Sequence, residues 1–265
     1  MRWIRPYLVA YRLELSKKFT YRTNFVFGRV RDLIVFGGLL YLYNALPHGA
    51  GTYDPTQLRT YTLLATFVFA VQSGFAMNDM ADEIFSGDLS NYLLRPIKYY
   101  GYWLSRTLAH RSILVVSGLL EIGLLALLFQ GQPLVVPTPV GALQFAVLLV
   151  IAVGIVQVID FTAATLAIWT GRAFGSRFVT YGILIPFLSG AFVPLDILPD
   201  WARTALAWTP FPLTAFAPLQ AYLGRLDAVA FGQYVLLGLA WIGAFSLVLA
   251  LMWRKGARSY EAYGR

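Results

Sequence analysis

Six apolar stretches, each at or near the length a helix needs to cross a bilayer, constrain this chain more than any motif does. They run at about Asn24–Leu46, Tyr61–Met77, Ser112–Phe129, Gly141–Trp169, Phe178–Val193 and Phe231–Trp253. A crossing takes roughly 17–25 residues, and in hydrocarbon each segment must satisfy its own backbone hydrogen bonds, which a helix does. Of the 265 residues, 58% are hydrophobic and 13% charged. Soluble domains sit near 45–50% and 25%, so this is a membrane composition. The expected fold is therefore all-α integral membrane with six transmembrane helices in one domain, 1–265. Two of the spans carry irregularities. Arg29, Arg31 and Asp32 occupy the opening turns of the first, and Pro186 interrupts the fifth.

The distribution of cations sets the orientation. Lys and Arg number 8, 4, 2 and 4 in the amino-terminal segment, second loop, fourth loop and tail, against 1, 0 and 2 in the alternate loops. Cytoplasmic connections carry the excess of positive charge, so both termini are expected in the cytoplasm. The same pattern accounts for the net charge of +8 without any nucleic acid. No cleavable signal peptide is expected, because Arg2, Arg5, Arg12, Lys17, Lys18, Arg22, Arg29 and Arg31 interrupt every apolar core before Leu33. Residues 1–23 read instead as an amphipathic interface helix. Its apolar stripe would be Ile4, Tyr7, Leu8, Tyr11, Leu15 and Phe19, with Arg5, Arg12 and Lys17 off the stripe.

Candidate chemistry is sparse. There are no cysteines, hence no disulfide or thiolate site, and no Gly-x-x-x-x-Gly-Lys-Ser/Thr phosphate loop. His48 and His110 are the only histidines, and the expected topology puts them in loops on opposite sides of the membrane, so no metal site is expected. Two carboxylates fall within spans: Glu121 in the third, and Asp160 in the fourth with Gln157 one turn away. An ionised group at mid-bilayer costs about 2.5–3.5 kcal/mol on insertion scales. Such residues either bind cations or protons or fix helix packing, and the sequence leaves both open. An intramembrane protease would need two deep aspartates on facing helices, and only Asp160 lies deep. A catalytic role is not expected.

Two polar or broken segments stand out between the spans. The second loop, 78–111, contains Glu83-Ile-Phe-Ser-Gly-Asp-Leu-Ser-Asn-Tyr-Leu-Leu-Arg-Pro96. Gly87 permits a backbone reversal, and Asp88 or Ser90 can cap the short helix that follows. Leu89, Tyr92 and Leu93 would form a contact face for a soluble partner, closed by Arg95, with Glu83 and Phe85 ahead of the turn. The outer region, 193–230, is apolar yet broken by Pro194, Pro199, Pro210, Pro212 and Pro218. Asp200 can cap a helix carrying Trp201, Ala205 and Trp208. Proline-broken apolar backbone is tolerated at a membrane boundary when it is buried in protein or lines a cavity. The region reads either as outer re-entrant half-helices forming a gate between spans five and six, or as a surface loop anchored by tryptophans.

The Glu83–Pro96 run resembles the cytoplasmic loop of the bacterial ABC-2 type permease family, the transmembrane subunits of certain ABC transporters. Tyr21-Arg-Thr-Asn-Phe25 and Phe192-Val-Pro-Leu-x-x-Leu-Pro-x-Trp201 fit the same family. The resemblance implies a subunit of the bacterial inner membrane that pairs with a second permease copy or a paralogue and with two separate ATPase subunits. ATP and Mg would be bound by those ATPases, with no cofactor in this chain. The loop after the second span and the amino-terminal helix would contact the ATPases, the outer half-helices would act as a gate, and export is the usual direction. The alternatives are an ATP-independent channel, scaffold or assembly factor, and a proton-coupled carrier using Glu121 and Asp160. The absence of native cysteine makes the sidedness directly measurable. An impermeant maleimide should label Val136→Cys in intact cells and Asn91→Cys only after permeabilisation; labelling of Asn91→Cys from outside overturns the orientation.

Overall fold

The structure is a computed structural model that describes residues 4–20, 22–45, 52–72, 76–128, 133–170 and 178–260. Arg2, Tyr21, Leu46, His48 and Phe129, named above, lie outside the described residues, as do the two cations of the fourth loop, Arg172 and Arg177. The chain opens with α1 (Arg5–Thr20) and α2 (Arg22–Asn44), followed by α3 (Pro55–Gln72) and α4 (Ala76–Phe85). A single-turn helix α5 (Leu89–Leu93) precedes α6 (Tyr99–Leu128), α7 (Pro139–Thr165) and α8 (Ala167–Thr170). A π-helical turn, Phe178–Leu184, runs into α9 (Ile185–Leu188). Then come α10 (Asp200–Ala207), α11 (Phe216–Tyr222) and α12 (Ala228–Ser259).

Local chemistry starts the long helices. Asp54 precedes Pro55, and its Oδ1 accepts the Gln57 amide at 2.8 Å. Thr138 precedes Pro139 and accepts the Gly141 amide at 3.0 Å, and Asp227 accepts that of Ala230 at 2.7 Å. Each satisfies an amide that the first turn leaves unpaired, and proline at the first helical position loses nothing by lacking one.

Four stretches among the described residues are long and apolar enough to cross a membrane: Pro55–Phe85, Tyr99–Leu128, Pro139–Thr170 and Ala228–Arg258. The 23-residue α2 has the length, about 35 Å, but its first half is charged. Of the fifth expected span, the described helical part is Phe178–Leu188, only about 16 Å long. The apolar window of Pro55–Phe85 is 93% buried and that of Ala228–Arg258 only 11%, so the former is the central element and α12 lies at the periphery.

Two expectations change here. The third span does not begin at Ser112: α6 starts at Tyr99, so Arg106, His110 and Arg111 belong to a helix and not to a loop. Its inward stripe is Tyr99, Trp103, Thr107, Arg111, Leu114, Gly118, Glu121 and Leu125. The cations are tolerated there because each has an acceptor. Arg106 Nε donates to Glu14 Oε2 at 3.0 Å, and Arg111 donates to the Val71 carbonyl at 3.0 Å and to Gln157 Oε1 at 3.3 Å. The apolar stripe expected for α1 is also split between two faces. Ala10 and Glu14 are buried and Tyr7 and Tyr11 half-buried against α6, whereas Ile4, Leu8 and Leu13 point outward. Tyr7 and Tyr11 bond to the Lys98 amide and the Ser112 hydroxyl, which explains why polar-tipped rings displace leucines from this contact.

The peripheral helix is joined to α7 through glycines. A Cβ at Gly154 would stand 2.9 Å from Ile242 Cδ1, and one at Gly238 would fall on Ile151 Cγ2. Ile151 is β-branched and rotates out of the way poorly. Gly232, on the same helix, has open space around it. Gly238→Ala should therefore lower the thermal midpoint in detergent by the equivalent of about 1–3 kcal/mol. Gly232→Ala should not, since it gains helix propensity without a clash. Equal midpoints for the two variants would contradict this packing.

Candidate functional site

The Glu83–Pro96 segment is built onto one end of the long helices. α4 delivers Glu83 beside α6, where Glu83 Oε2 accepts from Trp103 Nε1 at 2.7 Å and from the Tyr99 hydroxyl at 3.1 Å. Gly87 then reverses the chain at φ +91°, a left-handed conformation that side-chain-bearing residues seldom adopt. The expected cap is absent. Asp88 is itself helical and makes no capping bond; its Oδ2 accepts from Ser86, while Ser90 donates to the Gly87 carbonyl at 2.7 Å. In a single-turn helix hemmed between Gly87 and Pro96, the turn geometry leaves no extended residue to serve as a cap.

The expected contact face divides in two. Leu89 is fully buried, packed with Met80, Ala81, Ile84, Trp103 and Phe161, and so is not available to a partner. Tyr92 is half-buried, its ring 5.5 Å from Tyr99 and 5.0 Å from Tyr102. Burial, the hydrogen bond to Tyr102 and the nearby Glu83 carboxylate push the Tyr92 phenol above its ordinary range, so it remains neutral. Phe85, Asp88, Leu93 and Arg95 are exposed, joined by Leu94, which is 86% exposed and absent from the sequence-derived set. The stack continues into α12, where Trp253 lies parallel to Tyr99 at 5.5 Å, and Tyr260 donates to the Ile84 carbonyl at 2.6 Å. One face of the segment is thus fastened to α6, α7 and α12, and the other presents apolar side chains with a cation.

The region expected on the outer side, 193–230, is fastened together with the turn before it. Gly190 has φ +83°, and a Cβ there would sit 3.0 Å from Leu195 Cγ and Phe216 Cβ. The Tyr61 hydroxyl donates to its carbonyl, Tyr43 donates to the Phe192 carbonyl at 2.8 Å, and the Phe216 amide donates to the Ser189 carbonyl at 2.9 Å. Tyr53 contacts both Asp196 oxygens at 2.9 Å, with Gln220 donating to the Tyr53 hydroxyl and Arg225 stacked 4.1 Å over its ring. Burial first, then the Asp196 carboxylate, raises the Tyr53 phenol above its usual range. Pro194, Pro210 and Pro212 are buried, whereas Pro199, Trp201 and Trp208 are exposed. Asp200 does not cap α10: it is the first helical residue, with Pro199 in the capping position, and it pairs with Arg203.

The intramembrane polar residues fall into separate networks. Glu121 pairs with Arg29 at 3.5 Å, and Arg29 also holds Asp32 at 2.7 Å. Asp160, fully buried, accepts from the Tyr181 hydroxyl at 2.6 Å, while Gln157 meets Arg111. His110, expected in a loop, is buried within α6. No group of three or more His, Cys, Asp or Glu suited to a metal occurs among the described residues. Arg106, Arg111 and Glu14 were missed by sequence reading; a charge recurring at helical spacing with aromatic neighbours (Trp103, Arg106, His110) was the available signal.

Replacing Leu89 by Ala should cost about 2–5 kcal/mol of stability, as for other buried leucines. Leu93→Ala should stay within about 0.5 kcal/mol. Thermal unfolding of the purified variants checks the pair, and an equal response would contradict the division of the segment into two faces. Among known proteins, a family model described as "ABC-2 family transporter protein" matches residues 33–264. No curated protein matches.

Proposed function

Since this chain belongs to the ABC-2 family of transporter proteins, we propose that it is the permease subunit of an ATP-driven exporter whose ATPases dock on the Glu83–Pro96 segment. Membership makes it a membrane transport subunit associated with ABC ATPases. The observation that carries the docking is the two-sided construction of that segment. A motor subunit can move membrane helices only through an element that is stiffly joined to them and exposed on its far side. Glu83, Leu89 and Tyr92 supply the joint, and Phe85, Leu93, Leu94 and Arg95 supply the exposed side.

In this reading the spans number six, with both termini cytoplasmic, in the bacterial inner membrane, and a second permease copy or paralogue and two ATPases complete the assembly. ATP binding and Mg belong to the ATPases. The amino-terminal helix lies in the interface, a reading supported by its outward Ile4, Leu8 and Leu13 among basic residues. Closure of the ATPases pushes α4–α5 against α6 and α12, and the outer region yields to release cargo in an alternating-access cycle.

Re-entrance of the outer region is supported by two bonds. Gln72, the last residue of α3, donates to the Thr214 carbonyl, and Trp241 Nε1 donates to the Trp208 carbonyl at 3.1 Å. Trp241 lies about 20 Å along α12 from Ala228, so the Trp208 carbonyl sits well along the length of that helix and not at its end. Trp201 and Trp208, both exposed, then suit contact with lipid beside the peripheral α12 better than the lining of a passage. Glu121 and Asp160 are read as packing groups, because Arg29 and Tyr181 already occupy them.

The docking is tested by Leu93→Asp together with Leu94→Asp. The double variant should insert and unfold like the wild type but lose co-purification with its ATPase. Undiminished capture of the ATPase overturns the docking site, and a wild-type chain that captures no ATPase favours a stand-alone membrane protein.

A further inference from the structure

A groove of about 430 Å³ opens beside the exposed side of α5, walled by Leu93, Tyr99, Tyr100 and Trp253, with Arg95 and Lys98 in its lining. Among the described residues, no carboxylate lines it. Both cations are solvent-exposed, and the Arg95 guanidinium is steadied 5.8 Å over the Tyr92 ring. The walls are fixed by stacking: Trp253 lies 5.5 Å from Tyr99 and 5.0 Å from Tyr100, whose hydroxyl bonds to Thr165 at 2.8 Å.

The depth of the groove follows from helix lengths. Trp253 lies about 38 Å along α12 from Ala228, and Thr165 about 39 Å along α7 from Pro139. A bilayer has a core of about 30 Å and spans about 40–45 Å with its headgroups. With the outer ends of α7 and α12 at one boundary, the groove sits at the level of the opposite headgroups. Immediately past Trp253 the chain turns basic, with Arg254, Lys255 and Arg258. One and two turns along α6 from Tyr100, Leu104 and Leu108 are 41% and 48% exposed, an apolar track leading from the groove towards the core.

From this geometry we infer that the groove is a binding site for one anionic phospholipid of the inner leaflet, with its phosphate between Arg95 and Lys98 and its chains over Tyr100, Trp253 and Leu104. The groove supplies both halves of that chemistry, cations without a competing carboxylate and an aromatic apolar wall, at the depth where such a lipid changes from polar to apolar. The bound lipid would lie against the ATPase-facing side of α5, making the fit of the proposed docking surface sensitive to anionic lipid. The inference rests on the cytoplasmic placement of this segment and not on ATPase docking.

The test uses the full chain, delipidated in detergent and without ATPase. It is titrated with brominated phosphatidylglycerol or brominated phosphatidylcholine of identical chains, with tryptophan quenching as the readout. Phosphatidylglycerol should quench at lower concentration. Arg95→Gln with Lys98→Gln should weaken its binding by about thirtyfold, about fivefold per cation lost, while leaving phosphatidylcholine unchanged. Trp253→Phe should remove most of the quenching difference between the two lipids. Equal apparent affinities for both lipids in the wild type, or an unaffected double glutamine variant, overturns the site. Displacement by millimolar inorganic phosphate with no dependence on the chains overturns the lipid assignment too. ATPase capture by the same variants is measured separately, so that loss of lipid preference with retained capture, or the reverse, tells the two proposals apart.

Discussion

The Glu83 carboxylate is the interaction on which this end of the helix bundle depends. One of its oxygens takes both the Trp103 indole and the Tyr99 hydroxyl, and those two residues sit one turn apart on α6. Through Tyr99 the bond reaches Trp253 on α12, and through Leu89 the same cluster reaches Phe161 on α7. A charge-assisted pair of hydrogen bonds in a partly buried setting is stronger than its neutral counterpart and strongly directional. It therefore holds a short segment, which could not be stable as an isolated single-turn helix, in a defined position under three long helices.

Paired charges explain a second feature, the length of α6. A helix that carries Arg106, His110 and Arg111 before its apolar half looks like a loop followed by a span. It is continuous because Glu14 from α1, the Val71 carbonyl from α3 and Gln157 from α7 converge on the two arginines. Arg29 with Asp32 and Glu121 repeats the pattern between α2 and α6. Cations with several acceptors lock neighbouring helices in register, which apolar contact alone specifies weakly where lipid tails are as apolar as the protein.

The outer region shows how far residue types can lead. Its prolines and tryptophans marked a broken apolar segment, and Gly190 and Tyr53 then decide its path. The tyrosines of α2, α3 and the loop before α3 reach across to the carbonyls and carboxylate of residues 190–196. Tyrosine suits this because its ring stays in apolar surroundings while its hydroxyl satisfies a backbone group that no helix serves. None of these pairings has a local sequence signature, since the partners stand more than 120 residues apart.

By itself the sequence determined the helical class of the fold, the long apolar stretches, the Gly87 reversal and the family. These are local or compositional properties, legible because the bilayer demands long apolar runs and a left-handed backbone turn favours glycine. Only the tertiary structure decided which residues face inward. Leu89 and Leu93 look alike in the chain, yet one is fully buried and the other 45% exposed. On α1 the acidic Glu14 is buried against Arg106 while Leu8 lies exposed. In a soluble protein the hydrophobic stripe of a helix marks its buried side. Here lipid accepts apolar side chains as readily as the core does, so the stripe loses its meaning and the buried face is set by shape, glycine contacts and polar pairs between distant segments.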